Sequence, residues 1–360
     1  MYFEIEARFV PVKPTCLVLT AENAQAFIDE NTIGVAPILG STFNGEYEDV
    51  QGIHDMVCEL NSQNPSWDIP IHVDAASGGF IAPFIDPDRI WDFRLPNVKS
   101  INASGHKFGL VTPGLGWLLF REKEDLPEEL VFHVNYLGGD QASFTLNFSR
   151  SASNIIGQYY NFIRLGFEGY KSIMMTAMNN ANHLREGLIS TGLVEIVDKA
   201  HMPLVAFKLI DNKIHEICGE GDHKFTVFDI SDRLRSFGWV VPAYTCSHGA
   251  ETLAIMRVVV KENFSYNLAD SLLRDFRFVL NELIKVAKLE NEVTRSQSES
   301  TSVEVDMKDG KPTSKNGSST GFLGKAIKLW KDKSYKHKSQ NNPRHSVKHR
   351  KSGKSTVGIC

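Results

Sequence analysis

The hydrophobic positions of this chain change period several times, and each change marks a predicted element. Residues 33–39 (IGVAPIL) form a nearly continuous apolar run closed by Gly40, which predicts a strand buried on both faces. Residues 50–60 follow, with Ile53, Met56, Val57 and Leu60 at helical spacing. Residues 70–73 predict a strand ending at Asp74, and 98–103 and 116–120 predict two more. Strands alternating with helices indicate an α/β layer with a mostly parallel sheet, in which ligands sit beyond the carboxyl ends of the strands. Asp74 and the Ser104–Lys107 segment both follow strand ends. Both are placed for ligand contact.

The second half reads differently. Residues 155–181 predict one or two long helices containing Gly166 and Gly169. Strands are expected at 194–197, 204–209, 239–244 and, most strongly, 254–260 (AIMRVVV), with helices at 228–237 and 268–287. This is a small α+β unit, and no internal repeat is visible. The expected organisation is a partial large domain over 1–150 and a linking helix with the small domain over 151–288. A disordered Ser-rich, acidic linker over 289–320 and a basic tail over 321–360 complete it.

Composition narrows the class. At 360 residues, 42% hydrophobic and 23% charged, the chain has room for two ordinary globular domains and is not collagen-like, wholly disordered or a disulfide scaffold. No apolar run reaches the ~18–20 residues of a membrane span, and MYFEIEARFV has no signal-peptide pattern. The five cysteines lack CxxC spacing, which suits a reducing compartment and no metal knuckle, so a cytoplasmic, metal-free protein is expected. The net charge of −4 hides an asymmetry. Residues 321–360 hold eleven lysines and arginines against Asp332 alone, leaving about −14 on the rest of the chain.

Two segments carry candidate chemistry: HVDAASGGFIAPF from His72 and SINASGHKFGL from Ser100. A cofactor aldehyde such as pyridoxal phosphate (PLP) needs a lysine amine at a strand-end turn and a carboxylate on its pyridine nitrogen. It also needs small residues under the ring and donors for the phosphate. Lys107 after Gly105-His106 can supply the amine, and Asp74 beside Ala75 and Ala76 the carboxylate and a flat face. By pattern alone, a strand-end Asp is more often a cap and such a lysine more often a surface residue.

These segments, with WDFRLPNVKSINAS between them, closely resemble the glutamate decarboxylases, PLP enzymes of the group II decarboxylases. The resemblance runs on through DENTIGVAPILGSTFNGEYEDV, DLPEELVFHVNYLGGDQASFTLNFSRSASNIIGQYY, RLGFEGY and FGWVVPAYT, and covers nearly everything from Tyr2 to about Ala287. It implies fold type I, the aspartate-aminotransferase fold, and conversion of L-glutamate to 4-aminobutyrate and CO2. By the same resemblance Lys107 is the Schiff-base lysine, His106 the cofactor-binding histidine beside it and Asp74 the partner of the pyridine nitrogen. Ala76 packs under the ring, Thr42 binds near it, and Ser149 reaches the phosphate of a neighbouring subunit in a homo-oligomer. Arg257 grips the substrate carboxylate, and Tyr136 sits on a mobile loop as a candidate proton donor.

The residues read alone are plainer. Arg257 on an apolar strand suggests a solvent-facing side chain, and Thr42 and Ser149 ordinary turn residues. His133, His201, His223 and His248 read as surface or structural, and Asn102 and Asn135 as packing or local hydrogen bonding. Asn44 and Thr112-Pro113 depart from the family pattern. The family also carries a long stretch before the point matching Tyr2, with phosphate serines and a ring-stacking side chain, so the sequence reads as N-terminally truncated with weakened cofactor binding. The alternatives are an inactive homologue acting as a calmodulin-binding or heteromer-forming subunit, or another group II amino-acid decarboxylase.

The tail offers a second function. Phe322, Leu323, Ala326, Ile327 and Trp330 share one helical face, with Lys325, Lys328 and Lys331 around it. A basic amphipathic helix of this kind docks into calmodulin or onto an anionic membrane, whereas a solvated basic tail needs no partner. The plant-type decarboxylases carry a calmodulin-binding C-terminal segment with a tryptophan and clustered lysines, ending in Gly-x-Cys like Gly358-Ile359-Cys360 here. That resemblance implies Ca2+/calmodulin as partner through Phe322, Ile327, Trp330 and Lys331, with no nucleic acid involved.

Overall fold

Two sheets of opposite character organise the chain. The computed structural model describes residues 5–135, 138–144, 151–219 and 224–302. The first sheet is built from β1 (Ile71–Asp74), β2 (Val98–Ser104) and β3 (Gly116–Phe120). β1 and β2 run parallel, and β3 returns antiparallel to β2. A short helix α1 (Ala21–Gln25) and a longer α2 (Val50–Gln63) precede β1. Helix α2 is capped by Asp49, whose side chain accepts the Gly52 amide, and it buries Val50, Ile53, Met56 and Val57.

The apolar run at 33–39 is extended but is not a strand buried on both faces. It pairs parallel with β1 through bridges at Val35 and Ile38 only, and Ile33 is 66% exposed. Pro37 has no amide hydrogen to extend the ladder. The run lies along β1 on the side away from β2 and buries Leu39 completely.

After β2 and β3 comes a short hairpin, β4 (Phe132–Val134) with β5 (Gln141–Ser143). A small helix α3 (Ala82–Ile85) lies between β1 and β2 in sequence. Helix α4 (Ser153–Ile189) breaks at Gly166, whose φ of +58° and ψ of −166° only glycine adopts easily, so the predicted long helix is two. Its second half buries Tyr170, Met174, Ala177, Ala181, Leu184 and Leu188.

The second sheet is antiparallel throughout, in the order β6 (Val194–Ile196), β7 (Leu204–Leu209), β9 (Ala254–Val259), β8 (Ala243–Thr245). β8 is shorter than the 239–244 run suggested. Helices α5 (Asp211–Cys218) and α6 (Val227–Arg235) lie between β7 and β8 in sequence, and α5 has no counterpart in the predicted elements. Alternation along β7 splits the core. Leu204 and Ala206 join the cluster containing Leu39, Tyr47 and Ile71, while Phe207 packs edge-on against Phe276 at 5.6 Å.

Phe276 belongs to α7 (Tyr266–Ser302). That helix runs past Ala287, where the pattern placed the end of the folded body, and it buries Asn291 in its extension. The chain forms two compact units, one of Met1–Ile217 with Lys224–Leu283, the other of Cys218–His223 with Ile284–Cys360. Within the second, Asn291 donates to the Cys218 carbonyl at 3.1 Å. No helix among the described residues is long and apolar enough to cross a membrane, and no group of side chains there could hold a metal ion.

Candidate active site

The carboxyl ends of the parallel strands β1 and β2 meet in a set of close backbone contacts. Ala75 donates to the Asn102 carbonyl at 3.1 Å and Ser104 to the Ala76 carbonyl at 3.2 Å. Asp74 therefore stands beside the turn that carries Lys107. Its Oδ1 accepts from the Ala76 amide and from Asn102 Nδ2, both at 3.0 Å, and its Oδ2 meets no donor among the described residues. That free oxygen is what a protonated ring nitrogen requires.

Glycines at 105 and 109 shape the Lys107 turn. A Cβ on Gly109 would lie 2.6 Å from the Gly105 carbonyl oxygen, and one on Gly105 would lie 2.7 Å from Gln158 Oε1. Gln158, fully buried on α4, donates to the Gly109 carbonyl at 2.8 Å, and the Tyr170 hydroxyl donates to the same oxygen at 3.0 Å. The next residue, Leu110, sits at φ +65°, a left-handed conformation that costs a leucine about 1–3 kcal/mol and persists only under such clamping.

Lys107 Nζ donates to Ser77 Oγ at 3.1 Å. Burial lowers its pKa, Asp74 opposes that shift, and Arg257 and Lys261 reinforce it. A lowered pKa enlarges the neutral fraction, the form in which an amine attacks a carbonyl. His106 lies beside it with Nδ1 3.4 Å from the Leu115 carbonyl.

Arg257 comes to this end of the molecule from the second sheet. β9 is an inner strand between β7 and β8, and Arg257 on it is half-buried rather than fully turned to solvent. Its Nη1 donates to the Thr42 carbonyl, its guanidinium lies 5.5 Å from the Tyr244 ring centre, and its buried Nε has no partner. The Tyr244 hydroxyl donates to the Phe43 carbonyl at 2.5 Å, and burial pushes its pKa up to about 12. Arg257 and Tyr244 thus seat the 41–46 turn. Asn44, whose role was illegible, braces that turn: its Nδ2 donates to Glu46 Oε2 at 2.9 Å and its Oδ1 accepts the Glu46 amide at 3.2 Å. Thr112 and Pro113 are tied to α4, Thr112 Oγ1 donating to Asn154 Oδ1 at 2.6 Å and Asn154 Nδ2 to the Pro113 carbonyl at 2.8 Å.

The structure brings together Asp74, Ala76, His106 and Lys107 at adjoining strand ends, and it ties Thr42 to Arg257. Tyr136, Ser149 and the tail residues Phe322, Ile327, Trp330 and Lys331 lie outside the described residues. Asn102, read as packing or local hydrogen bonding, makes its hydrogen bond to Asp74 itself. His201 is structural as expected, its Nδ1 accepting the Tyr47 amide at 2.9 Å. Pattern reasoning missed Ser77, His72 and Gln158. The alternating polar positions of IHVD and KSINAS were the available signal for His72. The donor set fits the ring end of a PLP molecule: an amine of lowered pKa, a carboxylate with one free oxygen, and Ala76 between them.

Comparison with known proteins agrees. The model of the pyridoxal-dependent decarboxylase conserved domain matches residues 1–210. The chain is 54% identical over 283 residues to a glutamate decarboxylase of Petunia hybrida, covering 78% of this chain and 54% of that one. It is 44% identical over 284 residues to glutamate decarboxylase beta of Listeria innocua, covering 79% and 59%. Among solved structures it resembles the Lactobacillus brevis glutamate decarboxylase, with a TM-score of 0.73, 40% identity, and coverage of 79% of this chain and 62% of that one. The chain spans just over half the length of the curated relatives it matches. Its fold is that of the fold type I PLP enzymes, and the chain belongs to the pyridoxal-dependent decarboxylase family.

Proposed function

We propose that this chain takes part in PLP-dependent decarboxylation of L-glutamate, which loses its α-carboxylate as CO2 and takes a proton at Cα to give 4-aminobutyrate. The observation that carries the reading is the pairing of Lys107 and Asp74 at adjoining strand ends, with Asp74 Oδ2 free. Bound PLP supplies an aldehyde for an amine and a pyridinium ring that accepts electrons. Lys107 Nζ would offer the amine, its lowered pKa enlarging the neutral fraction, and Asp74 Oδ2 would accept from the ring nitrogen. By resemblance Ala76 would lie under a flat ring, and His106 and Thr42 would border it. Ser149 is assigned to the phosphate and Tyr136 to proton delivery at Cα by resemblance. Arg257 is the fork for a substrate carboxylate, a role that its partnerless buried Nε supports.

The relatives named as glutamate decarboxylases support this substrate over other amino acids. In this reading 1–150 supplies the cofactor part and 151–288 the linking helix and small domain. The unpaired Cys16, Cys58, Cys218 and Cys246 support a cytoplasmic setting. Calmodulin binding by the tail rests on the Phe322–Trp330 spacing and the lysines around it.

The test is the visible absorbance of the purified chain with added PLP, set beside Lys107→Ala. A Lys107-dependent band, followed by glutamate-dependent CO2 release, is expected. A band of equal size in Lys107→Ala would falsify the assignment.

A further inference from the structure

Behind Asp74 the first sheet carries polar side chains that none of these roles uses. The parallel register sets His72 opposite Ser100 and Asp74 opposite Asn102. The two-residue period of a strand then puts all four on one face. Asn102 Nδ2 donates to Asp74 Oδ1 at 3.0 Å, Asn102 Oδ1 lies 2.8 Å from His72 Nε2, and His72 Nδ1 lies 2.8 Å from Ser100 Oγ.

The direction of every bond in this chain follows from one fact. An ionised carboxylate only accepts, so Asn102 must turn its NH2 to Asp74 and its carbonyl to His72. A carbonyl only accepts as well, so His72 Nε2 must carry the hydrogen. In the neutral ring Nδ1 is then an acceptor, and the Ser100 hydroxyl donates to it. Reversing Asn102 would set its carbonyl against the Asp74 carboxylate and would require the opposite His72 tautomer, with Nδ1 donating to Ser100 Oγ.

We infer that His72 and Ser100 are positioning residues that hold Asn102 with its NH2 on Asp74 Oδ1, so that Oδ2 is left for the ligand. The inference rests on the reading of Asp74 as partner of a pyridine nitrogen. With Oδ1 held by the Ala76 amide and Asn102 Nδ2, Oδ2 is the oxygen left to accept from a ring nitrogen. The relay therefore sets the hydrogen-bonding state of the carboxylate from the same sheet face, one side chain removed from Asp74.

Nitrogen-15 histidine spectra of the full chain test the geometry directly, with the His72 signals identified by their loss in His72→Gln. The Nε2–H tautomer is expected at His72, and Asn102→Leu is expected to turn it into a mixture of tautomers. Retention of PLP on dialysis tests the consequence. His72→Leu, which frees Asn102 to turn its NH2 away from Asp74, is expected to lose affinity about tenfold, the size of the Asn102–Asp74 bond to a charged group. His72→Gln, whose amide can donate to Asn102, is expected to recover to within about twofold. An Nδ1–H tautomer in the unsubstituted chain overturns the inference, as does a His72→Gln chain that sheds PLP as readily as His72→Leu. The tautomer is read without cofactor, so a chain that never takes up PLP defeats the functional reading while the spectra still decide the relay.

Discussion

Glu48 is 7% exposed, and it accepts two amides, Leu19 at 2.8 Å through Oε1 and Ile38 at 2.6 Å through Oε2. Those bonds hold the 33–39 run against β1, where Leu39 donates to the Asp74 carbonyl at 2.8 Å and Asp74 donates to that of Pro37 at 2.9 Å. Burial outweighs the two amides and raises the Glu48 pKa from 4.5 to about 7, with Asp74 and Glu46 adding to the rise. A raised folded-state value means that the native chain holds this proton more tightly than the unfolded one. The resulting stability is complete below about pH 4.5 and is lost as pH rises through about 7. The loss is roughly 3 kcal/mol across that window. Urea unfolding at several pH values, compared with Glu48→Gln, checks it: the wild-type midpoint is expected to fall relative to the variant between pH 5 and 7. Equal slopes would mean that the amides hold the carboxylate ionised throughout.

At the scale of elements, the Lys107 turn depends on backbone crowding that only glycine allows. Gly109→Ala is expected to force the turn apart, with loss of the Lys107-dependent band and destabilisation of about 1–3 kcal/mol. Absorbance with PLP and a thermal melt measure the two effects separately. Most elements were legible from period alone, because β1, β2, α2, β7 and β9 each bury one face or one run of apolar residues, whereas β3 was legible only as an apolar run and is largely exposed. Asp74 and Lys107 were legible as strand-end residues. Gln158 was not, because a glutamine among GQYYNF on a long helix gives no local sign of the carbonyl it meets at Gly109. The contacts of Arg257 were not legible for a similar reason: the Thr42 carbonyl and the Tyr244 ring that it meets are far away in sequence or on another strand.

On the whole chain, charge and exposed apolar surface point outward. The +10 of residues 321–360 against about −14 elsewhere supports an anionic partner for the tail. A 318–355 peptide is expected to bind calmodulin only with calcium, and Trp330→Ala to weaken binding about tenfold or more, as loss of a buried aromatic anchor does. Equal binding in a chelator counts against it. In the first unit, Ile155, Ile156, Tyr159, Tyr160 and Ile163 on α4 are all more than half exposed. Monomeric proteins seldom leave such a face uncovered, which supports the expected homo-oligomer. Sedimentation of an Ile156→Glu, Ile163→Glu chain is expected to show a smaller species than wild type. An unchanged species removes this face from the assembly.

The sequence by itself determined the kind of protein: the period of its apolar residues sets strands and helices, and the order HVDAA then SGHK puts a carboxylate and a lysine at successive strand ends. Both signals are local, so they survive without coordinates. The tertiary structure decided which long-range partners meet. Parallel register between β1 and β2 aligned His72, Ser100, Asn102 and Asp74, and the second sheet brought Arg257 to the Thr42 turn. Burial then set the ionisation of Glu48 and Lys107. Such effects depend on which groups share a low-dielectric neighbourhood, and spacing along a chain does not record that.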